Sequence, residues 1–200
     1  QTINGLAKDM SVVERGLIYC GPSGHVPAGL GAALEHLATQ LGWPIYCEAA
    51  SGLRFGPLAP TLQVSAYGAL LGTAFAEAHR PDYVLHFGGA PTSRKIGEYL
   101  ADPAIAVTTL ISDDGRVHDP HHRASRVIHC AYLPLIASLC ERLGPQPSHG
   151  DWFEAWREAD VIAQGVLDRC FSVAGMWEGS TVRTVLAHLP DGVALHVANS

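Results

Sequence analysis

The sequence predicts an α/β fold: a doubly wound, mostly parallel sheet with helices on both faces. Three observations carry this expectation. The strand-like runs, such as "RGLIYCG" (15–21) and "YVLHFG" (83–88), are apolar throughout rather than alternating, as strands buried on both faces are. Stretches with helical spacing separate them, the pattern of strand–helix–strand units. Glycine or proline marks most of the junctions, and right-handed crossovers then wind the helices onto both sides.

The elements follow in order. After the strand at 15–21 and the loop "GPSGHVP", "AGLGAALEHLATQLG" (28–42) has apolar residues at helical spacing and ends on glycine. "WPIYCEA" (43–49) reads as a second strand and "SGLRFGPLAPT" (51–61) as a loop. "VSAYGALLGTAFAEAHR" (64–80) predicts one helix, stopped by Pro81, before the third strand. "SRKIGEYLAD" (93–102) predicts a short helix closed by Pro103. "IAVTTLIS" (105–112) and "RVIHC" (126–130) complete the strands, and a helix over 132–143 follows.

Near residue 145 the texture changes. "LGPQPSHGD" reads as a linker. Helices are expected over 151–170 and 179–190, with Asp151 and Ser180 as N-caps, then a strand over 193–200. Two helices and one strand cannot close a sheet, so residues 1–145 are expected to be one domain and 146–200 the start of the next, in a longer protein. Trp152, Trp156 and Trp177 either pack on the first domain or mark a surface that further chain would cover.

Composition excludes several functions. The formal net charge of −6 argues against nucleic-acid binding, which needs a basic face. No apolar run approaches the roughly 18 residues of a membrane helix, and the N-terminus lacks the pattern of a signal peptide. The five cysteines, odd in number and widely spaced, favour reduced thiols and a cytoplasmic location.

Four stretches are candidate sites. "CGPSGHVPAG" (20–29) puts glycines between a strand and a helix, suiting either a phosphate cradle or a tight turn; the dinucleotide fingerprint and the Walker lysine are both missing. "RVHDPHHR" (116–123) groups His118, Asp119, His121 and His122, but its Asp-Pro and flanking arginines favour a turn-capping loop over a metal site. "GPSGH" is not a nucleophile elbow, because His25 stands where the last glycine belongs. "HFGGAPTSRK" (86–95) ends a strand on two glycines and starts a helix with Arg94 and Lys95, either a carboxylate clamp or two solvated cations.

Read together, "LGWPIYCEAASGLR", "PDYVLHFGGAPTSRKIGEYL", "VHDPHHRASRVIHC" and "LPDGVALHVANS" occur in an order that resembles the middle of the MenD family, thiamine-diphosphate-dependent synthases of menaquinone biosynthesis, over about residues 15–200. The resemblance implies a central domain of the DHS-like NAD/FAD-binding fold, followed by the opening helices and strand of a pyrophosphate-binding domain. It implies a parent enzyme, a transferase, that decarboxylates 2-oxoglutarate and adds the succinyl carbanion equivalent to isochorismate. Thiamine diphosphate and Mg²⁺ are its cofactors, and the parent is expected to be a homodimer or homotetramer. The segment matching "PTSRK" implies substrate binding by Arg94, with Lys95 beside it, although the family more often has lysine there. The terminal "NS" matches a family "GNS", implying Ser200 as a second substrate contact, with Ala198 in place of the glycine. No catalytic, cofactor-binding or metal-binding residue is expected within the chain itself, since no GDG…N motif is present and the activating glutamate is expected upstream. The stretch is therefore expected to bind no cofactor and to be inactive alone. The other reading is a regulatory module for a nucleotide or anionic metabolite, collected by Arg54, Arg94, Arg116 and Arg123.

Overall fold

The chain opens with a helix, α1 (Ile3–Ser11), that the sequence reading does not contain. Thr2 caps it, its Oγ1 accepting the Gly5 N–H at 3.3 Å, while Leu6, Ala7 and Met10 bury one face. The structure, a computed structural model, describes residues 2–56, 58, 60–144, 150–173, 175, 177–190 and 192–193. The strand expected at 193–200 lies outside the described residues, apart from its first position.

Five strands follow the predicted order: β1 (Gly16–Cys20), β2 (Ile45–Cys47), β3 (Tyr83–Phe87), β4 (Val107–Ser112) and β5 (Arg126–His129). They form one sheet in the order β2-β1-β3-β4-β5, every pair parallel. The doubly wound α/β fold is therefore what the chain adopts. The register sets Cys20 beside Cys47 and Tyr19 beside both Tyr46 and His86. All five cysteines are free, and Cys20 and Cys47 are both buried.

Alternation along the strands divides the core in two. Ile18, Cys20, Leu85 and Phe87 join α1, α2 (Leu30–Leu41) and α6 (Tyr132–Leu143) on one face. Leu17, Tyr19, Tyr46 and Val84 join α3 (Tyr67–Leu70), α4 (Ala74–Ala78), α5 (Arg94–Leu100) and Trp156 on the other. The predicted ends of α2 agree with its caps: Gly42, at φ +66°, turns the chain and gives its N–H to Ala38 O.

Two local expectations change. Residues 64–80 are not one helix, because Gly72 takes φ +87° and Thr73 then caps a new start by accepting the Ala76 N–H. The loop over 51–61 is bordered by two short 3₁₀ turns, Ala49–Ser51 and Pro60–Leu62.

The backbone divides into two compact units, Gln1–Val161 and Ile162–Ser200. Helix α7 (Asp151–Val173) begins in the first, with Asp151 as a first-turn acid. There Trp156 is 1% exposed and meets Tyr46 edge-on at 5.4 Å. Trp152 donates its indole N–H to Gly16 O at 2.8 Å. These two tryptophans therefore pack within the first unit. In the second unit, α8 (Glu178–His188) starts at an N-cap of Trp177, so Ser180 is the third helical residue rather than the cap; its Oγ accepts the Trp177 N–H at 3.0 Å. Trp177 is 42% exposed and stacks on Phe171, and Arg183 pairs with Asp168 at 2.9 Å. Ile162, Val166, Val182, Val185 and Leu186 are exposed apolar residues of this unit.

Trp43 is fully buried, donates its indole N–H to Val13 O at 3.2 Å, and lies where a side chain at Gly16 would be. A Cβ on Gly16 would stand 1.9 Å from the Trp43 ring. Gly16→Ala is expected to cost about 1–3 kcal/mol through overpacking. Urea unfolding should show a lower midpoint at an unchanged m-value.

Candidate functional site

The strand order places a topological switch point between β1 and β3, where the chain leaves one strand for α2 on one face and the other for α5 on the opposite face. Ligand crevices in open α/β sheets form at such points, outside the strands' carboxyl ends. Here the two loops approach backbone to backbone. Gly21 N–H donates to Phe87 O at 2.8 Å, and Gly89 N–H to Pro22 O at 2.7 Å. A Cβ on Gly21 would stand 2.0 Å from Gly89 O, and Gly88 has φ +81°. Close approach of one loop to the other thus accounts for Gly21, Gly88 and Gly89.

Beside this seam is an open cavity of about 710 Å³, lined by Pro22–His25, Ala50, Gly88–Ala90, Asp113, Asp114, His118 and Tyr132. Its charged lining is acidic, and no lysine or arginine lines it among the described residues. That chemistry opposes an anion. Asp114 is engaged locally. It accepts the Arg116 N–H at 2.9 Å, faces His118 Nε2 at 3.1 Å and is held down to about pKa 2, the backbone hydrogen bond contributing most.

The "PTSRK" loop is built around a buried acid. Glu48, directly after β2 and 3% exposed, reaches across β1 to this loop. One oxygen accepts the Tyr19 hydroxyl at 2.8 Å and the Thr92 N–H at 2.9 Å; the other accepts the Thr92 hydroxyl. Burial, reinforced by Glu48, pushes the Tyr19 hydroxyl far above the usual phenol range, so it remains a donor. On the next strand, His86 stands edge-on to Tyr19 at 4.7 Å and donates its Nε2–H to Gly89 O at 2.9 Å. Burial lowers the His86 pKa to about 4, which keeps the ring neutral at physiological pH.

Arg94 opens α5 with its side chain 87% exposed and Glu98 at 3.5 Å. Lys95 is exposed and lines a separate cleft of about 250 Å³ with Glu77, Arg80, Glu98 and Asp102. Arg54 turns inward, donating to Cys47 O at 2.9 Å and to Ser65 O, with its guanidinium near the rings of Phe55 and Tyr67. Arg116 is exposed. Arg123 is half-buried and reaches Ile105 O at 3.4 Å. In chain order Arg54 follows β2 and Arg94 follows β3, while Arg116 and Arg123 share the loop between β4 and β5, where Arg123 turns back to Ile105 ahead of β4. Ser200 lies outside the described residues.

The histidine-rich loop is a capped turn. Asp119 accepts the N–H groups of Arg123 and Ala124 at 2.9 and 2.8 Å, and His122 takes φ +52°. Among the described residues, no group of three His, Cys, Asp or Glu side chains is arranged to hold a metal. Sequence reasoning missed Glu48, Tyr19, His86 and Thr92. Their signal was present: an acid directly after "PIYC", and a histidine inside the apolar run "YVLHF".

No protein-family model matches this chain. Curated relatives do. The 2-succinyl-5-enolpyruvyl-6-hydroxy-3-cyclohexene-1-carboxylate synthase of Myxococcus xanthus is 34% identical over 202 residues, covering 100% of this chain. That of Geobacillus kaustophilus is 32% identical over 201 residues, again covering 100% of it. The chain is a relative of the MenD synthases. It spans about a third of their length, 33% and 34% for these two. A solved structure from Mycobacterium smegmatis, described as a thiamin diphosphate-dependent enzyme, shares the fold over 74% of this chain and 28% of its own, with a TM-score of 0.52 and 16% identity. The similarity to MenD synthases spans the Glu48 segment and the Arg94 loop alike, since it runs the length of the chain.

Neutral, buried His86 makes stability depend on pH. Its folded pKa of about 4 lies below the ordinary 6.5, so the unfolded chain binds the extra proton between these values. Its contribution is complete above pH 6.5 and is lost as pH falls toward 4, at up to about 1.4 kcal/mol per pH unit. Urea midpoints across pH 4–7 should flatten in His86→Gln relative to the unaltered chain.

Proposed function

We propose that this chain is the central segment of a MenD-type synthase and that its Arg94 holds a carboxylate of isochorismate. The observation that carries the reading is Arg94 itself. It sits in the family's "PTSRK" segment, 87% exposed, on a loop that is fixed from within. A guanidinium offers a planar fork to a carboxylate, and a loose 3.5 Å partner on its own helix is easily exchanged for a substrate. Lys95 adds a second positive charge nearby, and Ser200 is a further contact in this reading. The scaffold's part is orientation: it presents the cation beyond the carboxyl end of the central strand, β3.

In the whole enzyme, bound thiamine diphosphate supplies the electron sink for decarboxylating 2-oxoglutarate. The sequence carries no GDG…N motif for the Mg²⁺ of its diphosphate, and this reading assigns cofactor binding to other parts of the protein. Residues 1–145 are then the central domain and 146–200 the linker and opening of the pyrophosphate-binding domain. The exposed apolar residues of α7 and α8 fit a surface that further chain covers. A cytoplasmic homo-oligomer completes the proposal; no described helix is long and apolar enough to cross a membrane.

The full-length protein, assayed with thiamine diphosphate and Mg²⁺, is expected to consume isochorismate only when 2-oxoglutarate is present. Arg94→Ala should raise the KM for isochorismate about tenfold to a hundredfold, the loss of one charge-assisted hydrogen-bonded pair. Arg94→Lys should recover part of it. An unchanged KM in Arg94→Ala refutes the residue's role. The isolated 200-residue chain is expected to give no heat on titration with thiamine diphosphate.

A further inference from the structure

We propose that Glu48 is a positioning residue: an internal carboxylate that takes the hydrogen-bond donors of the "PTSRK" loop and thereby aims Arg94. The inference rests on the reading of Arg94 as a substrate-binding cation and deepens it.

The sequence raises the idea that the N–H groups at this helix start receive an anion. The structure instead sets its own acid one residue ahead of the N-cap. Glu48 accepts both the N–H and the hydroxyl of Thr92, two residues before Arg94. Ser93, the N-cap of α5, makes no side-chain capping bond, so Thr92 is where the loop is tied. The carboxylate is in turn fixed by the Tyr19 hydroxyl, on the strand between β2 and β3. The other end of the loop is tied at Gly89, by Pro22 O and by His86. The stretch from Gly89 to Thr92 is therefore pinned at both ends, while Arg94 beyond it stays in solvent. Removing one tie leaves the cation in place chemically but frees the backbone that carries it. Displacements of about 1 Å from a productive geometry can cost about a hundredfold in rate.

The test uses the full-length protein. Glu48→Gln keeps the shape but replaces one acceptor oxygen with an NH₂ group. Thr92→Val removes the hydroxyl from an exposed residue, and Thr92→Ser restores it. Glu48→Gln and Thr92→Val are expected to raise the KM for isochorismate about tenfold, with kcat changed less than about twofold. Thr92→Ser should behave as the unaltered protein. In an Arg94→Ala background, Glu48→Gln should add nothing further. A Glu48→Gln penalty that persists in full without Arg94 overturns the proposal. Amide hydrogen exchange provides a readout independent of catalysis: Glu48→Gln should speed exchange over residues 89–96 and leave β1 and β3 protected. If the protein consumes no isochorismate, the functional reading fails by itself. In that case unaltered exchange over 89–96 overturns the positioning role, and faster exchange confined there sustains it.

Discussion

At the carboxyl end of the sheet, a single buried carboxylate adds side-chain ties across three strands, just where their backbone ladder ends at Glu48 N and Gly21 N. Glu48 leaves β2, meets the Tyr19 hydroxyl on β1, and ends on Thr92 beyond β3. A carboxylate placed in an apolar setting is costly unless its oxygens are paired, and here three donors pair them. The cost and its compensation lie in one small volume, so the loops on either side have a defined shape. The glycine seam between Gly21 and Gly89 depends on that shape, because backbones this close tolerate no Cβ.

The interaction also explains why the switch point is not an obvious nucleotide site. In folds of this type the glycine-rich first loop often faces a phosphate. Here its backbone faces another loop, and the open cavity beside it is lined by Asp113 and Asp114. The positive charge of this edge is carried elsewhere, on Arg94 and Lys95, both exposed on the first turn of α5. The carboxyl end of the sheet thus separates an open, acidic crevice from a cationic shoulder.

Much of the architecture was legible in the sequence because it is written in periodicities. Apolar runs such as "YVLHF" can be buried only on two faces, and the spacing of Leu30, Leu34, Leu37 and Leu41 leaves one helical stripe. Helix α1 was not legible. Its buried side comprises Leu6, Ala7 and Met10, too few residues to stand out in a polar stretch, and its packing on α6 is a tertiary fact. The break at Gly72 was hidden because Ala and Leu on either side are strong helix formers. In the site, Arg94 stood out by charge and by family resemblance. Glu48 did not, since nothing local says that an acid after β2 will meet a threonine 44 residues later. Partners joined through folding are invisible to a window that slides along the chain.

The pairing of β2 with β1 has a practical side. It sets two thiols, Cys20 and Cys47, next to each other in the interior, where their mutual contact and burial raise the Cys20 pKa well above the ordinary thiol. Cys170, by contrast, is exposed. An alkylating reagent therefore meets Cys170 at the surface, reaches the half-buried Cys130 and Cys140 more slowly, and finds Cys20 and Cys47 only when the edge strand peels away. The slow phase of alkylation becomes a stopwatch for fraying of the same strand end that carries Glu48, readable by mass spectrometry without installing any label.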